Sequence, residues 1–140
     1  MDKTKAHQLY LVHTLSHDTF ICSIKLIKTK DMYGLLLKIN SNQFVPNEIK
    51  KVGIDYFEAF EALFEELSAL NIVLCCKGSQ INTWPSGGLR DSTMGLGLYE
   101  LVMGSKQLLP INILEPSTGF FADSWNAKQE FHKKWVESVS

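Results

Sequence analysis

The stretch Asp55-Tyr56-Phe57-Glu58-Ala59-Phe60-Glu61-Ala62-Leu63-Phe64-Glu65-Glu66-Leu67-Ser68-Ala69-Leu70, followed one residue later by Ile72-Val73-Leu74-Cys75-Cys76, decides the fold class. Its first part has a helical period. Tyr56, Phe60, Leu63, Phe64, Leu67 and Leu70 step by three and four and form one broad apolar stripe of the kind that packs on a sheet. Asp55 stands ready as the cap, and Glu58, three positions on, reaches back as in a capping box. Ala59 and Ala62 add helix propensity without bulk. The run 72–76 is apolar at every position, the pattern of a strand covered on both faces, and it is therefore expected in the middle of the sheet.

Toward the N-terminus, residues 8–15 read as a strand and 18–28 as a second. In the second, Phe20, Cys22, Ile24 and Leu26 share one face, while Ile21, Ser23, Lys25 and Ile27 share the other. A polar connection at Thr29, Lys30 and Asp31 leads to 33–39, where Tyr33, Leu35, Leu37 and Ile39 face one way, so a hairpin or three-stranded meander is expected. Residues 40–53 contain Pro46 and show neither period, and they read as a loop. Toward the C-terminus, a turn at Lys77-Gly78-Ser79 leads to short strands over 80–84, 98–102 and 111–114. A last helix, capped by Asp123 or Ser124 and running to about Val139, carries Phe131, Trp135 and Val139 on a face widened by Trp125 and Val136. The expected fold class is α+β: a single domain over 1–140, mainly antiparallel sheet, with one amphipathic helix packed on it and a C-terminal helix.

Composition narrows the function classes. A chain of 140 residues with 45% hydrophobic and 21% charged residues matches one ordinary globular domain and excludes a wholly disordered or collagen-like one. Fourteen basic against fifteen acidic residues give a formal net charge of -1, which offers no global footprint for nucleic acid, and no nucleic-acid partner is expected. Lysines 25, 28 and 30 make only a small basic edge that also discourages strand pairing. The longest apolar run, 72–76, is far short of the roughly 20 residues that cross a bilayer, so no membrane partner is expected either. Residues 1–15 lack the apolar core of a signal peptide, which argues against export. Three cysteines, Cys22, Cys75 and Cys76, leave one unpaired in any arrangement and fit reduced, buried thiols in a cytoplasmic setting. His7, His13, His17 and His132 never stand at a zinc-ligand spacing beside cysteine, and neither metal nor cofactor is implied. His13 and His17 are four apart, but in a strand-and-turn pattern rather than on a helix.

Two recognition surfaces stand out. The segment Trp84-Pro85-Ser86-Gly87-Gly88-Leu89-Arg90-Asp91-Ser92-Thr93-Met94-Gly95-Leu96-Gly97 holds four of the nine glycines and reads as a long glycine-rich loop. Arg90 is the sole arginine among 14 basic residues, and its planar donor fork suits carboxylate, phosphate or carbonyl oxygens. Ser86 and Asp91 stand beside it, so Ser86, Arg90 and Asp91 are candidate partner-binding residues. The alternative is that Arg90 pairs with a carboxylate and ties down a long connection. Neither a phosphate-binding glycine motif nor the G-x-S-x-G hydrolase elbow is present. The second surface is the acidic stripe Glu58, Glu61 and Glu65, edged by Glu66, on a helix with no Lys or Arg; it suits a basic partner or is simply a solvated face.

The residues from Asp55-Tyr56-Phe57-Glu58-Ala59 through Cys76-Lys77-Gly78-Ser79, Trp84-Pro85-Ser86-Gly87 and Arg90-Asp91 to Met94-Gly95, with Phe131 and Trp135 in the last helix, resemble a group of small uncharacterised bacterial α+β proteins. That group carries a Pro-Ser-Gly loop and an Arg-Asp-Met-Gly segment. This chain departs by inserting Ser92 and Thr93 before Met94 and by carrying Gly88 after the Pro-Ser-Gly step. The resemblance covers roughly the second half of the chain and implies a bacterial cytoplasmic protein similar in size and class to the immunity partners of interbacterial toxins. The expected function is thus a non-catalytic binding protein that neutralises a protein toxin domain by occluding its active site, with no catalytic residue assigned. The alternatives are a small anion- or ligand-binding enzyme with a site around the glycine-rich loop, and an oligomeric structural module using a sheet edge; the pattern leaves the oligomeric state open.

Overall fold

The structure, a computed structural model, describes residues 6–41 and 47–140. The first five positions of the segment read for a signal peptide, and 42–46 of the expected loop, lie outside the described residues. The chain divides into two compact units, Met1–Cys75 and Cys76–Ser140.

In the first unit, β1 (His7–His13), β2 (Thr19–Lys28), β3 (Tyr33–Ile39), β4 (Glu48–Gly53) and β5 (Ile72–Leu74) form one antiparallel sheet in the order β4-β3-β2-β1-β5. The expected alternation is what builds it. Leu9 and Leu11, Cys22 and Ile24, Leu35 and Leu37 are buried on one face. Helix α1 (Tyr56–Ala69) packs on β3, β4 and β5 and buries Tyr56, Phe60, Leu63, Phe64 and Leu67, joined by Phe57 and Ala59. Each large apolar side chain buried this way stabilises the fold by about 1.5–3 kcal/mol. The cap forms as the spacing predicts: Glu58 N donates to Asp55 Oδ1 at 2.8 Å. The Glu58 carboxylate in turn accepts from Ile54 N at 3.2 Å.

Three expectations need correction here. Residues 48–53, read as loop, are β4. Their two aliphatic residues, Ile49 and Val52, point to opposite faces, one buried and one exposed, so neither face shows a repeat; the strand exists because its backbone pairs with β3 from Tyr33↔Gly53 to Lys38↔Glu48. Strand β5 is buried on both sides but stands at the end of the strand order, and β2 occupies the middle. A doubly apolar run reports coverage of two faces, not a place in the hydrogen-bond order. Leu70 is the exposed C-cap of α1 rather than part of its stripe.

In the second unit, a 3-10 turn at Lys77–Ser79 precedes β6 (Thr83–Trp84), α2 (Gly87–Ser92), β7 (Gly97–Glu100), β8 (Pro110–Asn112) and α3 (Trp125–Ser138). The strands pair antiparallel in the order β6-β7-β8. The strand expected over 80–84 shrinks to two residues because Ile81 N turns to Phe120 O and the Thr83 hydroxyl turns back to Lys77 O. The long glycine-rich loop is also corrected: it contains a helix. Ser86 Oγ accepts from Leu89 N at 3.1 Å, and that N-cap starts α2. Of its glycines only Gly95, at φ +87°, takes a left-handed backbone. Ser124, not Asp123, caps α3 by accepting from Ala127 N. Among the described residues no helix is long and apolar enough to cross a membrane.

Candidate functional site

Helix α3 turns inward a stripe that begins at Trp125 and includes Lys128, which is 1% exposed. A fully buried lysine is rare unless its charge is balanced. Here Nζ donates to Gln80 O at 2.5 Å and to Thr83 Oγ1 at 2.7 Å, and lies 5.4 Å from the centre of the Trp125 ring. Thr83 Oγ1 donates onward to Lys77 O at 2.8 Å, so it is free to accept from the amine. Around them Ser117 Oγ donates to Gln80 Oε1, Gln80 Nε2 donates to Asn82 Oδ1, and the Cys76 thiol stands 3.8 Å from Ser79 Oγ. One amine thereby ties α3 to the 3-10 turn and β6, satisfying oxygens that would otherwise be costly to bury.

Burial pushes the Lys128 amine down to about 7, only partly offset by Cys76. Burial pushes the Cys76 thiol up to about 11, against the lowering pull of its hydrogen bonds with Ser79 and Gly78 and of Lys128. A neutral amine has two N–H groups, and both have an acceptor here. By charge state Lys128 could serve as a base or nucleophile. By geometry it does neither, because Ser79, Gln80, Thr83 and Lys128 are all sealed from solvent. The cluster is a junction of the fold.

The surface of this unit tells a different story. Between β7 and β8 the chain carries Val102, Met103 and Leu109 outward, at 60%, 45% and 79% exposure. The first part of this loop, residues 102–105, is held in place by α3. Trp135 Nε1 donates to Val102 O at 3.0 Å and to Ser105 O at 3.1 Å, and Gly104 N donates to Ser138 Oγ at 2.9 Å. Beside it runs a groove of about 880 Å³ lined by Glu100, Val102, Ser105, Leu108, Leu109 and Ile111. Apolar side chains grouped on a pinned loop form a surface that gains free energy when another molecule covers it.

In comparison with known families and with curated proteins, no family model and no curated protein matches the chain.

The candidate residues read from sequence fall in separate units. In the second, Ser86 Oγ serves as the cap of α2, Arg90 is half-buried in the last turn of α2, and Asp91 is exposed. Arg90 N donates to Ser86 O, and Arg90 O accepts from Gly95 N, closing the helix at both ends. In the first unit Glu58 is exposed but used in the α1 cap, Glu61 is half-buried, and Glu65 is exposed. Glu66, at the stripe's edge, pairs with Lys51 at 2.6 Å. His13 ends β1 and His17 lies in the connection to β2, and His13 Nδ1 accepts from Ser16 N. Among the described residues no three His, Cys, Asp or Glu side chains are placed to share a metal ion. Sequence reasoning missed Lys128 and the 102–109 loop. Lys128 had a signal: it stands three after Trp125 and three before Phe131, inside the very stripe read as apolar.

Proposed function

We propose that this chain is a non-catalytic bacterial binding protein of the cytoplasm that acts by covering the working surface of a partner protein, as an immunity protein neutralises a toxin domain by occluding its active site. The observation that carries the reading is the pinned loop presenting Val102, Met103 and Leu109 beside a groove. Loop residues held by side-chain and backbone bonds to a helix lose little further freedom on binding, and that lowers the entropic cost of association. The sealing of Lys128 and Cys76 agrees with a role in which the interior supports a surface rather than a reaction. The immunity assignment adds the resemblance of the Pro85-Ser86-Gly87 and Arg90-Asp91 segments to the support from the loop.

The test is a titration of the full chain against any toxin domain encoded beside its gene, with Val102→Asp and Leu109→Asp as variants. A buried hot-spot replaced by a charge should weaken binding by about 100-fold or more, with melting unchanged. Wild-type affinity in both variants, or a neighbouring toxin that neither binds nor loses activity, would remove the reading.

A further inference from the structure

The face of the first sheet opposite α1 is not a neutral solvated surface. Register places Lys25, Leu36 and Lys50 side by side across β2, β3 and β4, and Ser23, Lys38 and Glu48 in the next row. Adjacent strands lie about 4.8 Å apart, so Lys25 and Lys50 are separated by about 10 Å across Leu36, with Lys38 about 7 Å further along β3. All three lysines are exposed. Among the described residues, the ion pairs Lys51–Glu66 and Lys77–Glu100 involve none of them. Glu48 is the one carboxylate in these rows, which leaves the face with excess positive charge on a chain whose formal net charge is -1. Between and beside the lysines, Ile21 and Val52 are exposed and Ile27 and Leu36 half-exposed, while Tyr10, paired with Ile21, is 58% exposed.

We propose that this sheet face docks a carboxylate-rich patch of a partner protein. Aliphatic side chains among exposed cations match the anatomy of a protein interface with a charged rim. Charge complementarity fixes the sign of the occupant, because an acidic surface would meet three exposed ammonium groups set against one carboxylate, Glu48, in the same rows. Single-stranded nucleic acid fits less well, since it needs a series of aromatic rings for its bases and, among the described residues, this face presents Tyr10 alone. The inference takes the class of occupant from the protein-binding reading above, but it concerns the first unit and uses none of the groove residues.

The experiment follows the backbone amide NMR spectrum of the labelled full chain during titration with poly-L-glutamate. The expected shifts fall on the outward positions of β1–β4, and they shrink at least severalfold at about 0.3 M salt, where exposed charges are screened. The triple variant Lys25→Glu, Lys38→Glu, Lys50→Glu should weaken binding by about tenfold or more. An equal charge change at Lys106, Lys133 and Lys134, which belong to the second unit, should alter it by less than about twofold if the sheet face is the site. A Gln triple at the same three positions guards against misfolding and should weaken binding by an intermediate factor. Equal effects of the two Glu triples, or shifts that avoid the sheet, would overturn the proposal. Tighter binding of oligothymidylate than of poly-L-glutamate at these amides would also overturn it. Val102→Asp leaves this titration unchanged, so the groove reading and the sheet-face inference fail separately.

Discussion

Lys128 shows how one side chain ties its stability to pH. In the unfolded chain its amine holds a proton up to its ordinary value of 10.5, whereas burial brings the folded value to about 7. Between those values the unfolded state binds the extra proton, so stability rises with pH, by at most ~1.4 kcal/mol per pH unit. Above about 9 the gain is opposed. There the Cys76 thiol, held at about 11 in the fold, begins to ionise first in the unfolded chain. His132, lowered from 6.5 by burial, titrates below this window. Melting temperature should therefore climb between pH 7 and 9 in the wild type, and the climb should vanish in Lys128→Met. Scanning calorimetry across that range checks it, and a wild-type curve flat or falling with pH would show that the amine stays charged inside. The variant also removes the amine's bonds to Gln80 O and Thr83 Oγ1, though the Thr83 hydroxyl still reaches Gln80 O at 3.1 Å, so the added cost is about 1 kcal/mol.

At the scale of elements, the glycines separate two kinds of constraint. A Cβ at Gly53 would lie 2.8 Å from Glu58 Cβ and 2.9 Å from Ala59 N, where β4 runs into the start of α1. A Cβ at Gly87 or Gly88 meets nothing within 4 Å, and both residues lie inside α2. Gly53→Ala should cost about 1–3 kcal/mol by overpacking. Gly87→Ala and Gly88→Ala should each stabilise α2 by up to about 1 kcal/mol, since alanine is the better helix former. Urea denaturation of the three variants tests the contrast, and a loss on Gly87→Ala would mean that this segment needs glycine for another reason. These positions also show which parts of the fold were legible in the sequence. The α1 stripe, its Asp55 and Glu58 cap and the faces of β2 and β3 were readable because their periods are set by side chains that each element buries itself. Helix α2 was not, because two glycines and a serine suggest a loop until Ser86 is seen to cap Leu89. Nor was β4, whose lysines obscure a strand fixed by the backbone of its neighbour.

At the scale of the molecule, the two compact units carry different surface chemistry. The first presents lysines around aliphatic residues on its open sheet face, and the second presents apolar side chains on a loop fastened to α3. The recognition residues expected from sequence, Ser86, Arg90, Asp91, Glu58, Glu61 and Glu65, stand out for charge or hydroxyl content, and the side chains of Ser86 and Glu58 hold local structure as helix caps. The pinned loop is not legible in the sequence, because Val102, Met103 and Leu109 look like core there; only the packing of Trp135 beneath the chain shows that they face outward. Amide hydrogen exchange of the chain, alone and saturated with its partner protein, tests the binding account most directly. Exchange should slow over the segment from Glu100 to Ile111 in the complex, while the amides around Lys128 keep the protection they have in the free chain. Unchanged exchange across that segment in a saturated complex would contradict the account.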